Sequence, residues 1–388
     1  MSELKVAVIG LGATGSAALL ALARFGIKAE GFEQYRIGHE FGASGGKTRQ
    51  FRFIYGEGGA YTPLLLRSRA LWQQLEQEAE QSLFYPCGFL TIGTPDSPWF
   101  QACLRSAQQQ DLPHTVMSRD EIAQRYPRLN LDADEIALHD PAGAILLTHQ
   151  TIIASVRRAE SLGARVHEKA KITGITQAEQ GVHLEVNGET RHFDRVIVTT
   201  GAWVREILPS IAVASRRLGM TFHLAEKSGF DLAQFPAVMR VTPGRPMWNT
   251  QPMPDGASFK FFVGDAEIDE QKDPSIRAVA GSAALTETII ERIDRVLPNA
   301  VNGAERAIVG GATYPEAYTF DQAPLLGNTV DQPDLFLGVG LSGHGFKLSP
   351  ALGELLAQAV TGKIDLASEW PLFDPQRSFA EPTAVYAR

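Results

Sequence analysis

Apolar positions along the chain recur with two different periods. Lys5 to Ile9 (KVAVI) and Arg195 to Thr199 (RVIVT) are short unbroken runs, which predict strands buried on both faces. Ser16 to Phe25, Pro63 to Gln77 and Thr148 to Leu162 carry the helical period. Gly26 caps the first of these, and Lys28 to Phe32 predicts a strand ending at Glu33, so the chain opens with a βαβ unit. Phe89 to Ile92 and Asp120 to Tyr126 belong to a region of different, mixed texture, and two strands are expected to flank the turn at Gly188. From Met220 to Pro274 prolines and aromatics increase, and the alternation predicts antiparallel strands with one open face. Leu285 to Leu297 reads as an amphipathic helix. Asp334 to Gly340 (DLFLGVG) restores the buried-strand pattern and leads through a glycine turn into a last helix. The pattern predicts an α/β protein whose two domains are built from interleaved segments.

Composition narrows the function. A chain of 388 residues with 44% apolar content can form more than one core. The net charge of −8 and the lack of a basic stripe argue against a nucleic-acid partner. Ala17 to Ala23 is the longest apolar run near the N-terminus and is too short to span a bilayer, so no membrane association is expected. No leader pattern is visible, and the two cysteines, Cys87 and Cys103, form no CxxC pair. A cytoplasmic protein with free thiols is the expectation. No Cys/His group has zinc spacing, so no metal is expected. Nothing in the pattern specifies an oligomeric state.

Two glycine turns carry the chemistry. Gly10, Gly12 and Gly15 follow the first strand and open the first helix, with Ala13 and Thr14 between them. Such a turn lets backbone approach a pyrophosphate and offers it the helix N-terminus. Glu33 lies 18 residues beyond Gly15, where a carboxylate accepts from an adenosine ribose hydroxyl, and Gln34 follows it. A carboxylate there disfavours NADP and leaves FAD or NAD. The second turn, GLSGHGFK, contains Gly343, His344, Gly345 and Lys347. A flavin needs its ring held, with a positive field where reduction places negative charge. Gly343 and Gly345 let backbone reach that edge, and a helix starting near Lys347 points its positive end there. An NAD enzyme has no use for this second turn.

GLGATG, the stretch GASGGKTRQFRFIYGEGGAYTPLLLRSRALWQQL, VIVTTGAW and GLSGHGFK resemble, in matching order, the monomeric sarcosine oxidase family, to which N-methyltryptophan oxidase belongs. These are FAD amine oxidases of the D-amino-acid oxidase fold group. The resemblance implies a Rossmann-like FAD-binding domain (1–85, 145–215 and 305–388) interleaved with a substrate domain on a mostly antiparallel sheet (86–144 and 216–304). It implies oxidation of a secondary amine or N-substituted amino acid to an imine, with O2 as acceptor and hydrogen peroxide as product. An FAD dehydrogenase of amino acids or Amadori compounds, and a flavin-binding subunit without turnover, remain open.

The resemblance also assigns residues. Arg52 and Lys347 match the pair that grips the substrate carboxylate. Ser44, Thr48 and Arg49 match the flavin-side loop, although GASGGK replaces a histidine-containing stretch there. Lys260 matches a lysine held over flavin N5 through water, where a cation favours oxygen reduction. His344 and Tyr314 match substrate-facing residues. Ile172 matches the adenine-side strand, and Gly201 and Trp203 follow the third buried strand as further cofactor candidates. Salt bridges for the arginines, solvent-facing lysines and a plain turn histidine are the competing roles. Trp248 is better read as core. Ala312 stands where the family carries the cysteine joined to the flavin, which implies non-covalent FAD.

Overall fold

The computed structural model describes residues 4–224, 231–245, 247–256, 258–263, 291, 293–297 and 308–379. Most of the expected helix Leu285 to Leu297 lies outside the described residues.

Val6–Ile9 is the middle of a six-stranded sheet. Its parallel neighbours are Arg195–Val198 on one side and Glu30–Glu33 on the other, followed outward by Gln332–Val339 and Arg165–Glu168. Leu325–Thr329 closes the first edge antiparallel to its neighbour. Alternate side chains of the central strands enter two different cores. Val6, Val8 and Ile197 pack under helices, while Ala7, Ile9, Val196 and Val198 pack under an antiparallel meander. This double burial explains why these strands read as unbroken apolar runs. The meander comprises Ile172–Gln177, Val182–Val186 and Glu189–Phe193, its last two strands joined through Asn187 and Gly188, both at positive φ.

The helix Ala13–Arg24 packs against Thr148–Ser161 and Ser349–Val360. A Cβ on Gly353 would lie 2.5 Å from the Ala18 backbone nitrogen, so small residues set how closely two of these helices cross. The first helix starts three residues before the Ser16 that periodicity suggested, because the glycine turn is complete by Gly12 and Ala13–Gly15 is already helical. At the other glycine turn the α-helix begins at Ser349, preceded by a 3₁₀ turn over Phe346–Leu348.

A second sheet has eight strands. It joins Phe89–Gly93, Thr115–Met117 and Ile136–Asp140 to Ala214–Leu224, Ala237–Arg240, Trp248–Pro252, Ser258–Val263 and Ile308–Tyr318. Its pairs are antiparallel except one: Ala237–Arg240 runs parallel to Phe89–Gly93, at the seam between distant segments. Period-two alternation divides its faces. Trp248, Phe259, Phe261 and Val238 enter a core, while Met239, Asn249, Gln251, Lys260 and Phe262 line a cavity on the opposite side. A small antiparallel sheet of Thr48–Phe51, Ala144–Leu147 and Phe84–Pro86 completes the described sheets.

Candidate active site

The N-terminal turn opens onto a cleft of about 1100 Å³. Gly10 has φ +84°, and a Cβ there would lie 2.8 Å from the Thr199 carbonyl oxygen. A Cβ on Gly15 would lie 1.9 Å from the Gly10 oxygen, so strand and helix meet only because both residues are glycine. Gly12 is different: its Cβ position is open, with Ser44 Oγ the nearest atom at 3.7 Å. Glu33 accepts from the Leu11 N–H at 2.9 Å and the Tyr35 N–H at 3.0 Å. Oε2 keeps a second lone pair for a ligand hydroxyl, while Oε1 also faces His39 Nε2 at 3.4 Å. Gly10, Gly12, Ala13, Thr14, Glu33, Gln34, Ser44, Ile172, Gly201 and Trp203 all line this cleft.

Two buried hydroxyls along the cleft, Thr14 Oγ1 and Thr200 Oγ1, have no hydrogen-bond partner. Buried polar groups without partners cost stability. With the exposed helix N-terminus and the space beside Gly12, they fit a ligand rich in acceptors, as the pyrophosphate of FAD is.

A second cavity of about 930 Å³ shares Ala13, Ala43, Ser44, Glu316 and Leu341 as a common wall with the first. Here charged side chains do what backbone does in the cleft. Arg52, Lys347, His344, Lys260 and Arg49 line it. Asp140 orients the turn after Arg52 by accepting from the Phe53 N–H at 2.7 Å and the Ile54 N–H at 3.3 Å. Arg52 Nη2 meets Glu57 Oε1 at 2.6 Å, and the guanidinium lies over the Tyr55 ring, 4.9 Å from its centroid. The helix Thr62–Ala79 holds the C-terminal turn: Trp72 Nε1 donates to the Lys347 oxygen at 3.4 Å and Ser68 Oγ to the Leu348 oxygen at 3.3 Å.

Within that turn a hydrogen-bonded chain forms. His344 Nε2 lies 2.9 Å from the Gln322 carbonyl oxygen, which can only accept, so Nε2 carries the proton. Nδ1 therefore accepts from the Tyr55 hydroxyl at 2.7 Å. Lys347 Nζ donates to the Tyr55 oxygen at 3.3 Å and to the His344 carbonyl at 3.0 Å. Burial pushes His344 down to about 4, against the opposing pull of Glu57, so its ring is neutral. Burial, then the Arg52 charge, brings Lys347 down to about 7. Burial opposes ionisation of Glu57, but Arg52, His344 and Lys347 overcome it and hold the carboxyl below its usual range.

Thr48 is an anchor behind the cavity wall. Its carbonyl accepts from Arg49 Nη1 at 2.7 Å and from Lys260 Nζ. Its hydroxyl accepts from Gln251 Nε2 at 2.7 Å. Burial, reinforced by Arg49, pushes the Lys260 ammonium well below its ordinary range. Tyr314 is 2% exposed and packs against Gly45; it is not part of either cavity's lining among the described residues. Trp248 stacks on Phe261 in the core. Cys103 packs behind Gly56, and burial raises both Cys87 and Cys103 to about 12.

Sequence reasoning missed several lining or supporting residues. Tyr55 and Glu57 lay inside the quoted YGEG stretch. Glu316 sits two residues after Tyr314 on the same strand, within reach of the period-two rule. Gln251 and Asn249 gave no signal, because only pairing with the Lys260 strand brings them to the cavity. Asn249 Oδ1 and Glu57 Oε2 are buried without partners at this cavity, which marks it as a site for donor groups.

Residues 5–359 match the FAD dependent oxidoreductase family. N-methyl-L-tryptophan oxidase of Yersinia pestis (strain Pestoides F) is 30% identical over 371 residues, covering 93% of this chain and 96% of that protein. Among solved structures, glycine oxidase from Geobacillus kaustophilus superposes with a TM-score of 0.78 at 21% identity, covering 97% of this chain and 100% of the other. NikD, an unusual amino acid oxidase essential for nikkomycin biosynthesis, does so with a TM-score of 0.83 at 17% identity, covering 98% and 100%. Among the described residues no helix is long and apolar enough to cross a membrane. The two-cavity architecture and these likenesses agree: the chain belongs to the FAD dependent oxidoreductase family.

Proposed function

We propose that this protein oxidises the C–N bond of a small secondary amine or N-substituted amino acid, with O2 as acceptor and hydrogen peroxide as product. The observation that carries this reading is the shared wall between the cleft at the N-terminal glycine turn and a cavity lined by Arg52, Lys347 and His344. FAD, when bound, supplies the acceptor for a hydride equivalent. The substrate loses that hydride from carbon and a proton from nitrogen, and water hydrolyses the resulting imine.

The chain's own groups bind and orient. Arg52 offers a planar donor fork and Lys347 an ammonium to a substrate carboxylate. Neutral His344, its tautomer held by Gln322 and Tyr55, adds a polar group without adding charge. Glu57 and Asn249 offer acceptors to the substrate's N–H groups. Lys260 is held on the Thr48 carbonyl, and although burial lowers its pKa, its protonated form puts a cation where oxygen reduction develops negative charge. Arg49 is braced by Thr48 and Ala43 carbonyls on the cofactor side. Tyr314 supports the Gly45 loop from behind.

FAD is held without a covalent bond in this reading. Alanine at position 312 offers no thiol, and neither cysteine lines the glycine-turn cleft or the cavity beside it. The same alanine favours a second reading, a dehydrogenase using another acceptor. The two free cysteines, Cys103 buried and Cys87 half-buried, suit a reducing, cytoplasmic compartment. The domain division retains 1–85 and 145–215 with the cofactor. The pairing of Ile308–Tyr318 within the eight-stranded sheet supports moving the last boundary beyond Tyr318.

One preparation tests these points. Acid precipitation of the yellow protein should leave all flavin in the supernatant. Aerobic turnover of N-methyl amino acids should yield one peroxide per amine consumed. Turnover with an artificial acceptor but no peroxide would favour the dehydrogenase.

A further inference from the structure

We infer that Glu316 belongs to the flavin site as a neutral acid, donating its carboxyl O–H to the edge of the bound ring where the two cavities meet. The inference rests on the flavin-binding reading above. Glu316 is 8% exposed and forms part of the wall common to both cavities. Its Oε1 accepts the Gly343 N–H at 2.9 Å, in the turn whose backbone is expected to meet the ring. Arg49, Lys260 and Lys347, which line the same cavity, form no ion pair with it. The nearby cations are engaged elsewhere: Arg49 with the Thr48 and Ala43 carbonyls, Lys347 with Tyr55 and the His344 carbonyl.

Burial therefore decides its protonation and pushes the carboxyl above its usual range, against weaker opposing effects from the Gly343 N–H, Arg49 and Lys347. An un-ionised carboxyl has one donor. With Oε1 accepting from Gly343, the proton resides on Oε2, and the cavity junction is where Oε2 can donate. An ionised carboxylate at that point would repel the negative charge that reduction brings to the ring edge. A neutral acid stabilises it, as protonated carboxyls in apolar oxyanion sites do. Glu316 thus raises affinity for reduced over oxidised flavin, offsetting the missing covalent link.

The test is the flavin reduction potential of FAD-loaded wild type, Glu316→Gln and Glu316→Ala, measured by dye equilibration over about pH 5 to 9. Arg49, Arg52, Glu57, Lys260, His344 and Lys347 line the same cavity and are unchanged in all three proteins. Any break they cause in the potential–pH curve persists throughout. The wild type should show one further break, where Glu316 ionises, which both variants lose. Glu316→Gln keeps a donor and should hold the wild-type potential at the acid end. Glu316→Ala should lose about tenfold in preference for reduced flavin, or roughly 30 mV. A Glu316→Gln protein that retains the break overturns the inference, as does a flavin-loaded Glu316→Ala protein with the wild-type potential. If Glu316→Ala does not fold, the isosteric Gln variant still decides. Wild type that takes up no FAD would instead overturn the cofactor reading, and that is seen before any variant is made.

Discussion

The chain contains two strand–glycine–helix turns, and they work by different physics. At the first, Gly10 to Gly15, side chains are nearly absent and backbone does the recognition. The helix starts directly at Ala13, and two buried, unpartnered threonine hydroxyls lie along the cleft beside it. At the second, Gly343 to Lys347, a 3₁₀ turn intervenes, and His344 and Lys347 are turned inward and buried. The first turn is built to approach an anionic ligand closely. The second is built to hold charges at reduced strength in a dry place, with a helix clamped behind it by Trp72 and Ser68. Glycines alone therefore do not say what a turn binds; the residues between them do.

The sharpest way to break this comparison is to fill the space at the first turn. Gly12→Val should fold, because its Cβ position is open, yet occupy the space expected for pyrophosphate. Losing two or three phosphate hydrogen bonds should weaken FAD uptake about a hundredfold, read as flavin absorbance per protein after equilibration. Near-normal uptake would mean that this turn is not the phosphate site.

The counterpart at the cavity is Arg52→Ala. It should leave flavin bound while lowering kcat/KM for carboxylate-bearing amines about thirty- to a hundredfold, the worth of about 2 to 3 kcal/mol of charged hydrogen bonding. Amines without a carboxylate should be affected far less. Equal losses on both substrate types would assign Arg52 to structure through its Glu57 pair.

Tyr55→Phe removes the donor to His344 Nδ1 and one partner of Lys347. A drop of about tenfold in turnover is expected, consistent with one buried acceptor left unpaired. The pH dependence sharpens the same point. Lys347 is brought down to about 7, so the free protein loses this ammonium as pH rises through that value. Affinity for a carboxylate inhibitor should be flat below about 7 and fall above it. Lys347→Arg, which stays charged, should remove the break.

The smallest expected effect returns to the first turn. Thr14→Val deletes an unpartnered hydroxyl without changing shape. FAD affinity should fall about two- to tenfold, while the melting temperature of the flavin-free protein stays level or rises slightly. A clear loss of stability without flavin would show that the hydroxyl already has a partner in the protein.

How much could be read in advance follows the same divide. The first turn was legible because strand, glycines and Glu33 lie within one βαβ unit, where spacing is geometry. The strands Arg195–Val198 and Gln332–Val339 were legible because double burial removes polar residues from them. Lys260 stood out as a cation between Phe259 and Phe261, and alternation does turn it away from their core. Tyr314 did not behave as its motif implied, since the Gly45 loop covers it. Glu316, two residues on, reaches the junction instead.

The sequence by itself determined the nucleotide unit, the α/β class and the types of charge available, because each rests on local period and spacing. Only the tertiary structure decided which charges meet. The Lys347–Tyr55–His344–Gln322 chain and the Lys260–Thr48 anchor join positions from separate segments, and burial then set their protonation. Long-range pairing and desolvation are properties of the packed interior, and no window of sequence contains them.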